Sequence, residues 1–435
     1  MGRTTELARS GEVNIARLGA PAVASPLRST DPDSVIHITI DNELVDEFFT
    51  PRELVFETAG PRERLYFEPI RSTAAIVTCG GLCPGINDVI RSMVKTLHRD
   101  YCVPKILGIR HGLRGFVPEN GLNVLKLTPD IVASIHESGG TFLGTSRGPQ
   151  PVETILQTLA RLNVDMLFII GGDGTMKAAR AIDAGLRERA APLSVIGIPK
   201  TIDNDINFIP RSFGFETAVD KAVEALRCAQ VEAMSVPGGI GIVKMMGRES
   251  GFITAHSALA FRDADFVLVP EVRFALHGKG GLLEALEKRL TVNGHSLIVL
   301  AEGAGQDLVA VPDQKDASGN QAPGDIAGFL MREIAVYLET RNIPYYFKYI
   351  DPSYTVRSGP AGTNDRIYCA TLGQHAVHAA MSGRTGMAVA EIVGKFVHLP
   401  FELITEKRRK MNPESTLWRS VLACTGQGDL TAEDA

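Results

Sequence analysis

No stretch of this chain is apolar over the ~20 residues that a bilayer-spanning helix requires. The N-terminal segment MGRTTELARSGEVNIARLGAPAVASPLRST also lacks the apolar core of a secretory signal. It is rich in Arg, Ala and Ser, as organelle transit segments are, but Glu6 and Glu12 argue against one, and it reads as a loose cytosolic tail. Basic excess is missing too: a net charge of -5 gives no general attraction to nucleic acid or an anionic membrane. The six cysteines are scattered and only Cys79 and Cys83 lie close together, so plain thiols in a reducing compartment are favoured over a zinc site. The ten histidines show no metal-ligand spacing, and His136 and His256 read as helix-surface residues. Internal repeats and long low-complexity segments are absent. Trp418, the one tryptophan, is assigned to packing.

What the chain does have is 44% hydrophobic and 22% charged residues over 435 positions, enough for two or three globular domains. Residues 1 to about 72 are of mixed polar character, with IHITI at 36–40 alternating like a strand. From RSTAAIVTCGGLCPGINDVIRSMVKTLH onward the rhythm becomes apolar strand, glycine loop, amphipathic helix. It recurs at KILGIRHGLRGF, DMLFIIGGDGTMKAAR, SVIGIPKTIDNDI, GIGIVKMMGRESGFITAHSALA, DFVLVPE and SLIVLAEGAG. Such alternation predicts parallel βαβ units covered by helices on both faces. Seven strands are too many for one small sheet, so we expect an α/β protein of two doubly wound, Rossmann-like domains with a cleft between them, broken after PRSFGF at 210–215. DQKDASGNQAPGD, residues 313–325, reads as a surface loop.

Chemistry concentrates in the glycine loops. In LFIIGGDGTMKAARAIDAG, a buried strand Leu167–Ile170 runs into Gly171–Thr175 and then a helix from Met176. The carboxyl end of a strand and amino end of a helix is where open α/β sheets bind phosphate. Asp173 would repel phosphate unless it holds a divalent cation such as Mg²⁺, which carboxylate and phosphate commonly share. IVTCGGLCPGIND, residues 76–88, brings Gly80, Gly81 and Gly85 close to a ligand, with a spacing unlike the dinucleotide fingerprint. In PKTIDNDI, residues 199–206, Lys200 precedes Asp203, Asn204 and Asp205. Asp203 or Asp205 is a candidate base for phosphoryl transfer to a hydroxyl, and Lys200 could neutralise charge on the transferred group. Arg147, Arg248, Glu302, Lys348, Tyr354 and Arg357 are read at further strand ends, whereas EKRRKM at 406–411 reads as a solvated helix face.

With GGLCPGIND, GGTFLGTSR, GGDGT, PKTIDNDI, MGRESG, AEG and the Tyr354 to Arg357 pair in one order, the sequence resembles the 6-phosphofructokinase family from about residue 61 to 420. GPRERLYFEP, KYIDPSY and the extended N-terminus resemble its longer plant and protist subgroup. The resemblance implies that Gly81, Arg147, Gly148, Gly172, Asp173, Gly174 and Thr175 bind ATP, with Asp173 the Mg²⁺ ligand. It implies that Thr201, Ile202, Asp203, Met246, Gly247, Arg248, Glu302, Tyr354 and Arg357 bind fructose 6-phosphate. The catalytic group would be Asp203 as base with Lys200 and Arg248. Members that use pyrophosphate carry aspartate where this chain has Gly174, while Lys200 resembles them; the combination resembles the ATP-using long subgroup. A sugar-phosphate arginine donated by a neighbouring subunit in short bacterial members aligns with Gly239, which puts subunit-shared catalysis in doubt. The domains expected are an extension at 1–71, a nucleotide-binding domain at 72–214 and 356–403, and a sugar-phosphate domain at 215–355 and 404–435. Family likeness implies a cytoplasmic homotetramer with neither nucleic-acid nor membrane partners. The rival readings are a pyrophosphate-dependent enzyme and a non-catalytic sugar-phosphate sensor; NAD and lipid kinases share GGDGT but lack the PKTIDND and MGR loops.

Overall fold

The computed structural model describes residues 13–28, 34–40, 52–121, 124–310 and 322–431, and the stretch read as a surface loop falls largely outside them. The chain divides into two compact units, residues 1–216 with 357–409, and residues 217–356 with 410–435.

The first unit is built on a seven-stranded sheet ordered Lys395–Pro400, Met387–Ile392, Ser194–Pro199, Met166–Gly171, Thr73–Thr78, Lys105–Ile109, Leu125–Lys126. MLFIIG and SVIGIP are buried at every position, as strands covered on both faces require. Alternation divides the burial: Ala75, Val77, Leu167, Ile169 and Val195 pack with Ile155, Leu159, Met176 and Ile182 of the helices Val152–Leu162 and Asp173–Glu188. Helix Thr363–Met381 packs on strands Ser194–Pro199 and Met387–Ile392 and on helix Ile86–Lys95. The five inner strands are parallel, as expected. Both edge strands are antiparallel, which the expected parallel rhythm did not anticipate. At one edge the cause is local: Val393 and Gly394 join Met387–Ile392 to Lys395–Pro400 with φ of 49° and 73°, and a two-residue connection of positive φ can only make a hairpin.

The N-terminal segment is not a loose tail where it is described. Ala16–Arg17 pairs antiparallel with Arg384–Thr385, and Leu18 N–H donates to the Gly383 carbonyl at 2.9 Å. Val35–Ile40, which contains the alternating IHITI, pairs with Arg52–Glu57. Glu57 then binds Arg62 and Arg384 side chains that are each only 5% exposed, beside the fully buried His398. A carboxylate with only 13% of its side chain exposed demands paired cations, and the extension is thereby locked to the sheet.

The second unit carries four parallel strands in the order Phe266–Leu268, His295–Ala301, Gly239–Met245, Tyr346–Ile350. Its core joins Ile240, Ile242, Ile298 and Leu300 to Leu283, Leu286 and Leu290 of helix Leu282–Asn293 and to Leu330, Ile334 and Leu338 of helix Ile326–Thr340. Fully burying one such Leu or Ile contributes about 1.5–3 kcal/mol. Lys348 lies in the middle of strand Tyr346–Ile350, bonded to Glu232 at 3.1 Å, rather than at the strand end where it was expected.

Candidate active site

In the first unit, Thr78 is registered with Ile170, and Gly171 with Pro199. Three strands therefore end flush, and their loops lie side by side with GGDGT in the middle. Chain order reverses between Thr73–Thr78 and Met166–Gly171, where the strand between its neighbours is reached by a crossover. That is the switch point at which open sheets bind ligands.

Strand Met166–Gly171 runs almost without a loop into helix Asp173–Glu188. The helix starts three residues earlier than Met176, because Gly172 serves as N-cap and accepts from Thr175 N–H and Met176 N–H at 2.9 Å each. Gly172 offers no side chain to the first-turn amides, so the amino end of a sixteen-residue helix faces outward with its positive dipole. Asp173 sits in that turn. Its Oδ2 accepts from Lys177 Nζ at 2.9 Å, and its buried Oδ1 has no hydrogen-bond partner among the described residues. Gly174 borders open space: a Cβ there meets nothing within 4 Å.

The neighbouring loop is laced together. Gly80 has φ +82°, a conformation natural to glycine. Its N–H donates to Ser146 O at 3.0 Å, its carbonyl accepts from Thr145 Oγ1 at 2.7 Å, and Thr78 Oγ1 donates to Gly144 O at 2.7 Å. The segment 139–148 therefore lies over 78–81 and brings Arg147 within 3.5 Å of where a Gly81 Cβ would be. Arg147 and Gly148 are exposed. A cavity of about 280 Å³ lined by His111, Arg114, Asn120, Thr145 and Ser146 adjoins them, and sequence reasoning did not single it out.

From the other side, buried Lys200 extends its Nζ to the Gly81 carbonyl at 2.7 Å, while its own N–H donates to Gly171 O at 2.9 Å. One residue thus ties all three loops. Burial pushes the Lys200 ammonium below its ordinary range, against the pull of Cys83, Cys79 and Asp203. The same burial pushes the Cys79 and Cys83 thiols up to about 12, so neither is a nucleophile. Asp203 is half-buried, with its N–H on Thr201 Oγ1 at 3.2 Å. Thr201 Oγ1 donates to Asp205 Oδ1 at 2.7 Å, so Asp205, the other candidate base, is already engaged. Burial raises the Asp205 carboxyl, opposed by the Thr201 bond and by Arg408. Asn204, at φ +56°, holds the loop closed by donating to Pro210 O at 2.8 Å and accepting from Ser212 N–H at 2.9 Å.

EKRRKM is not a solvated helix face. The helix Phe401–Thr405 ends before it, and Arg408 bridges antiparallel to Ile206. Arg408 reaches Asp173 at 3.6 Å and Asp205 at 3.9 Å. Only the basic run itself signals it in the sequence, since its partners lie some two hundred residues earlier. Arg357, on the short helix Thr355–Ser358, also belongs to this unit. Gly139 packs so close behind that helix that a Cβ would overlap Ser358 O.

In the second unit, Met245 and Ala301 are registered, so Met246–Arg248 and Glu302 leave adjacent strand ends. Glu302 N–H donates to Met245 O and Gly303 N–H to Gly247 O, each at 3.0 Å. The helix after MGRESG starts at Phe252, with Gly251 N–H fixed on the Glu271 carboxylate at 3.0 Å. Tyr354 is 77% exposed.

All six cysteines are free thiols. No cluster of three or more His, Cys, Asp or Glu side chains that could hold a metal is found among the described residues. No described helix is long and apolar enough to cross a membrane.

A family model described as Phosphofructokinase matches residues 73–380. The chain is 48% identical over 383 residues to an ATP-dependent 6-phosphofructokinase of Borreliella burgdorferi, covering 86% of each chain. It is 44% identical over 420 residues to ATP-dependent 6-phosphofructokinase 1 of Arabidopsis thaliana, covering 94% of this chain and 88% of that one. Among solved structures it resembles a pyrophosphate-dependent phosphofructokinase of Marinobacter aquaeolei with a TM-score of 0.66 at 18% identity, covering 83% of this chain and 92% of that one, a likeness of fold alone. A match of that extent to the family model, with relatives near half identity over most of their length, places the chain in the phosphofructokinase family.

Proposed function

We propose that this chain is an ATP-dependent 6-phosphofructokinase, which transfers the γ-phosphoryl group of ATP to the 1-hydroxyl of D-fructose 6-phosphate, giving fructose 1,6-bisphosphate and ADP at the committed step of glycolysis. The observation that carries the reading is the flush register of three loops that sets Asp173, Lys200 and Asp203 along one sheet edge. Relatives named for the ATP-dependent activity, at 41–48% identity, support the donor and the acceptor.

In this reading the first unit binds the nucleotide. Gly81, Arg147 and Gly148 border the adenosine end, and the helix turn Gly172–Thr175 receives the phosphates on its amides. The partnerless Oδ1 of Asp173 fits Mg²⁺. Held there, such an ion would supply positive charge against the phosphates. Asp203 accepts the proton of the 1-hydroxyl as its oxygen bonds to the γ-phosphorus in line, and Lys200 and Arg248 offset the negative charge of the transferred group. Thr201, Ile202, Met246, Gly247, Arg248 and Glu302 position the sugar, and Tyr354 and Arg357 bind its 6-phosphate. The domain roles follow, nucleotide on the first unit and sugar phosphate mainly on the second. A homotetramer in the cytoplasm completes the reading, on family likeness and the free thiols.

The test is product formation from fructose 6-phosphate and Mg²⁺ with ATP or pyrophosphate, in the wild type and in Gly174→Asp. We expect turnover with ATP alone, and loss of ATP use by at least ~10² in Gly174→Asp, because a carboxylate at the helix amino end repels the nucleotide phosphates. The variant should melt like the wild type, since its Cβ enters open space. Wild-type turnover with pyrophosphate would mean that Lys200 governs donor choice and would overturn the ATP reading.

A further inference from the structure

We infer that Arg408 is a positioning residue of the phosphoryl-transfer site, a resident cation that balances Asp173 and Asp205 before and during nucleotide binding; the inference rests on the function proposed above. The two carboxylates stand on adjacent strand-end loops, with side chains only 13% and 12% exposed. Both carboxylates face the same guanidinium, so they lie close together, and a polyphosphate entering beside them adds further negative charge. Two cations oppose this. Lys177 bonds Asp173 from a side chain 55% exposed, where water screens it. Arg408 is 27% exposed and the more effective charge.

Its distances of 3.6 and 3.9 Å lie beyond directed hydrogen bonds, so charge rather than a fixed fork ties it to the carboxylates. Its backbone, by contrast, is pinned. Arg408 forms the bridge to Ile206, Arg409 N–H donates to Asp205 O at 2.8 Å, and Arg409 Nη1 reaches the carbonyls of Ile209 and Pro210 at 3.2 Å each. Arg409 is thus the anchor and Arg408 the charge. A path of contacts runs from Arg408 through Asp205 to Thr201 Oγ1 and on to the N–H of Asp203. Removing the cation therefore loosens the loop of the proposed base as well as leaving Asp173 uncompensated.

The experiment measures ADP binding by calorimetry in EDTA and in Mg²⁺, melting temperature, and steady-state kinetics for Arg408→Met and Arg408→Lys. A purely structural role would weaken both ADP affinities alike. A charge-balancing role weakens ADP binding about 10-fold in EDTA and less than about 3-fold in Mg²⁺, where the metal supplies the missing charge. We expect kcat to fall about 10-fold in Arg408→Met with KM for fructose 6-phosphate within about 2-fold, and Arg408→Lys to recover most of both. Equal ADP changes with and without metal, or none, overturn the inference. If Arg408→Met does not fold, Arg408→Lys decides: an EDTA affinity within about 2-fold of wild type supports the charge, and a 10-fold loss overturns it. Failure here leaves wild-type ATP turnover intact, whereas failure of the proposed function removes that turnover and leaves the ADP comparison readable. A wild type that binds no ADP overturns both.

Discussion

The two units present their strand ends in different ways. In the first, the edge is held by ionisable side chains: Lys200 bonds the Gly81 carbonyl, Arg408 lies between Asp173 and Asp205, and Thr201 links Asp205 to the Asp203 backbone. In the second, backbone bonds run directly between the strand ends, with the Glu271 carboxylate fixing Gly251 N–H beside them. Met245 and Gly247 carbonyls receive the N–H groups of Glu302 and Gly303, and Gly303 lies so near Arg248 O that a Cβ would sit 1.9 Å away. Under the proposed function, the difference means that the first edge manages charge that changes during the reaction, and the second holds side chains in an array for recognition. Single charge changes at Asp203 or Arg408 on the first edge should therefore alter rate more than stability. Small steric changes in the second should alter stability and binding together.

The largest effect expected from this contrast is at Asp203. Asp203→Ser should lower kcat by at least ~10² while leaving KM for fructose 6-phosphate and the melting temperature near wild type. An unchanged kcat would remove Asp203 from the base role and weaken the contrast at its centre. Next comes Gly303→Ala in the second unit. Its Cβ forces the Arg248 carbonyl to move, at a cost of about 1–3 kcal/mol, as overpacking does. Calorimetric melting and steady-state kinetics should show a lower melting temperature and KM for fructose 6-phosphate raised about 10-fold, with ADP affinity unchanged. A raised ADP dissociation constant instead would show that the second edge serves the nucleotide too.

Much of the fold was legible in the chain because buried parallel strands write themselves as apolar runs, with glycine loops directly after them. VIGI and LFII were readable as strands for that reason, and both are fully buried. The antiparallel edge strand Lys395–Pro400 was not, because it depends on Val393 and Gly394 adopting positive φ, a conformation that valine does not announce. Arg408 was misread as a solvated charge, since a run of basic residues looks alike whether it faces water or two distant carboxylates. The N-terminal segment was misread for the same reason: its partners, Arg384 and Thr385, lie more than 360 residues away. Lys348 was read at a strand end, but its register with Gly241 puts it in mid-strand. Long-range pairing is what single-sequence periodicity does not carry.

The smallest expected effect sharpens the comparison through pH. His375, His378 and His398 all belong to the first unit. Burial lowers the first to about 3 and the other two to about 4, from 6.5. His398 faces Glu57, Arg384 and Arg62, and the two arginines add to the lowering while Glu57 opposes it; His375 faces His378, His398 and Arg62; His378 faces Asp100 and Arg62. In the unfolded chain these imidazoles take up protons near pH 6.5, so between about 6.5 and 4 the unfolded state binds more protons than the folded one. Stability from these groups is therefore fully present above pH 6.5 and is lost as pH falls toward 4, by on the order of 1 kcal/mol per unit for each histidine while it remains neutral in the fold. Amide hydrogen exchange followed from pH 7 to 5 should show protection falling first in strands Ser194–Pro199 and Met387–Ile392, which pack on the helix bearing His375 and His378, and later in Gly239–Met245 of the second unit. His375→Leu should flatten that slope by about one proton's worth without changing activity at pH 8. An equal loss of protection in both units would show that acid acts on the chain as a whole, and the first unit's reliance on buried ionisable groups would then not set its stability apart.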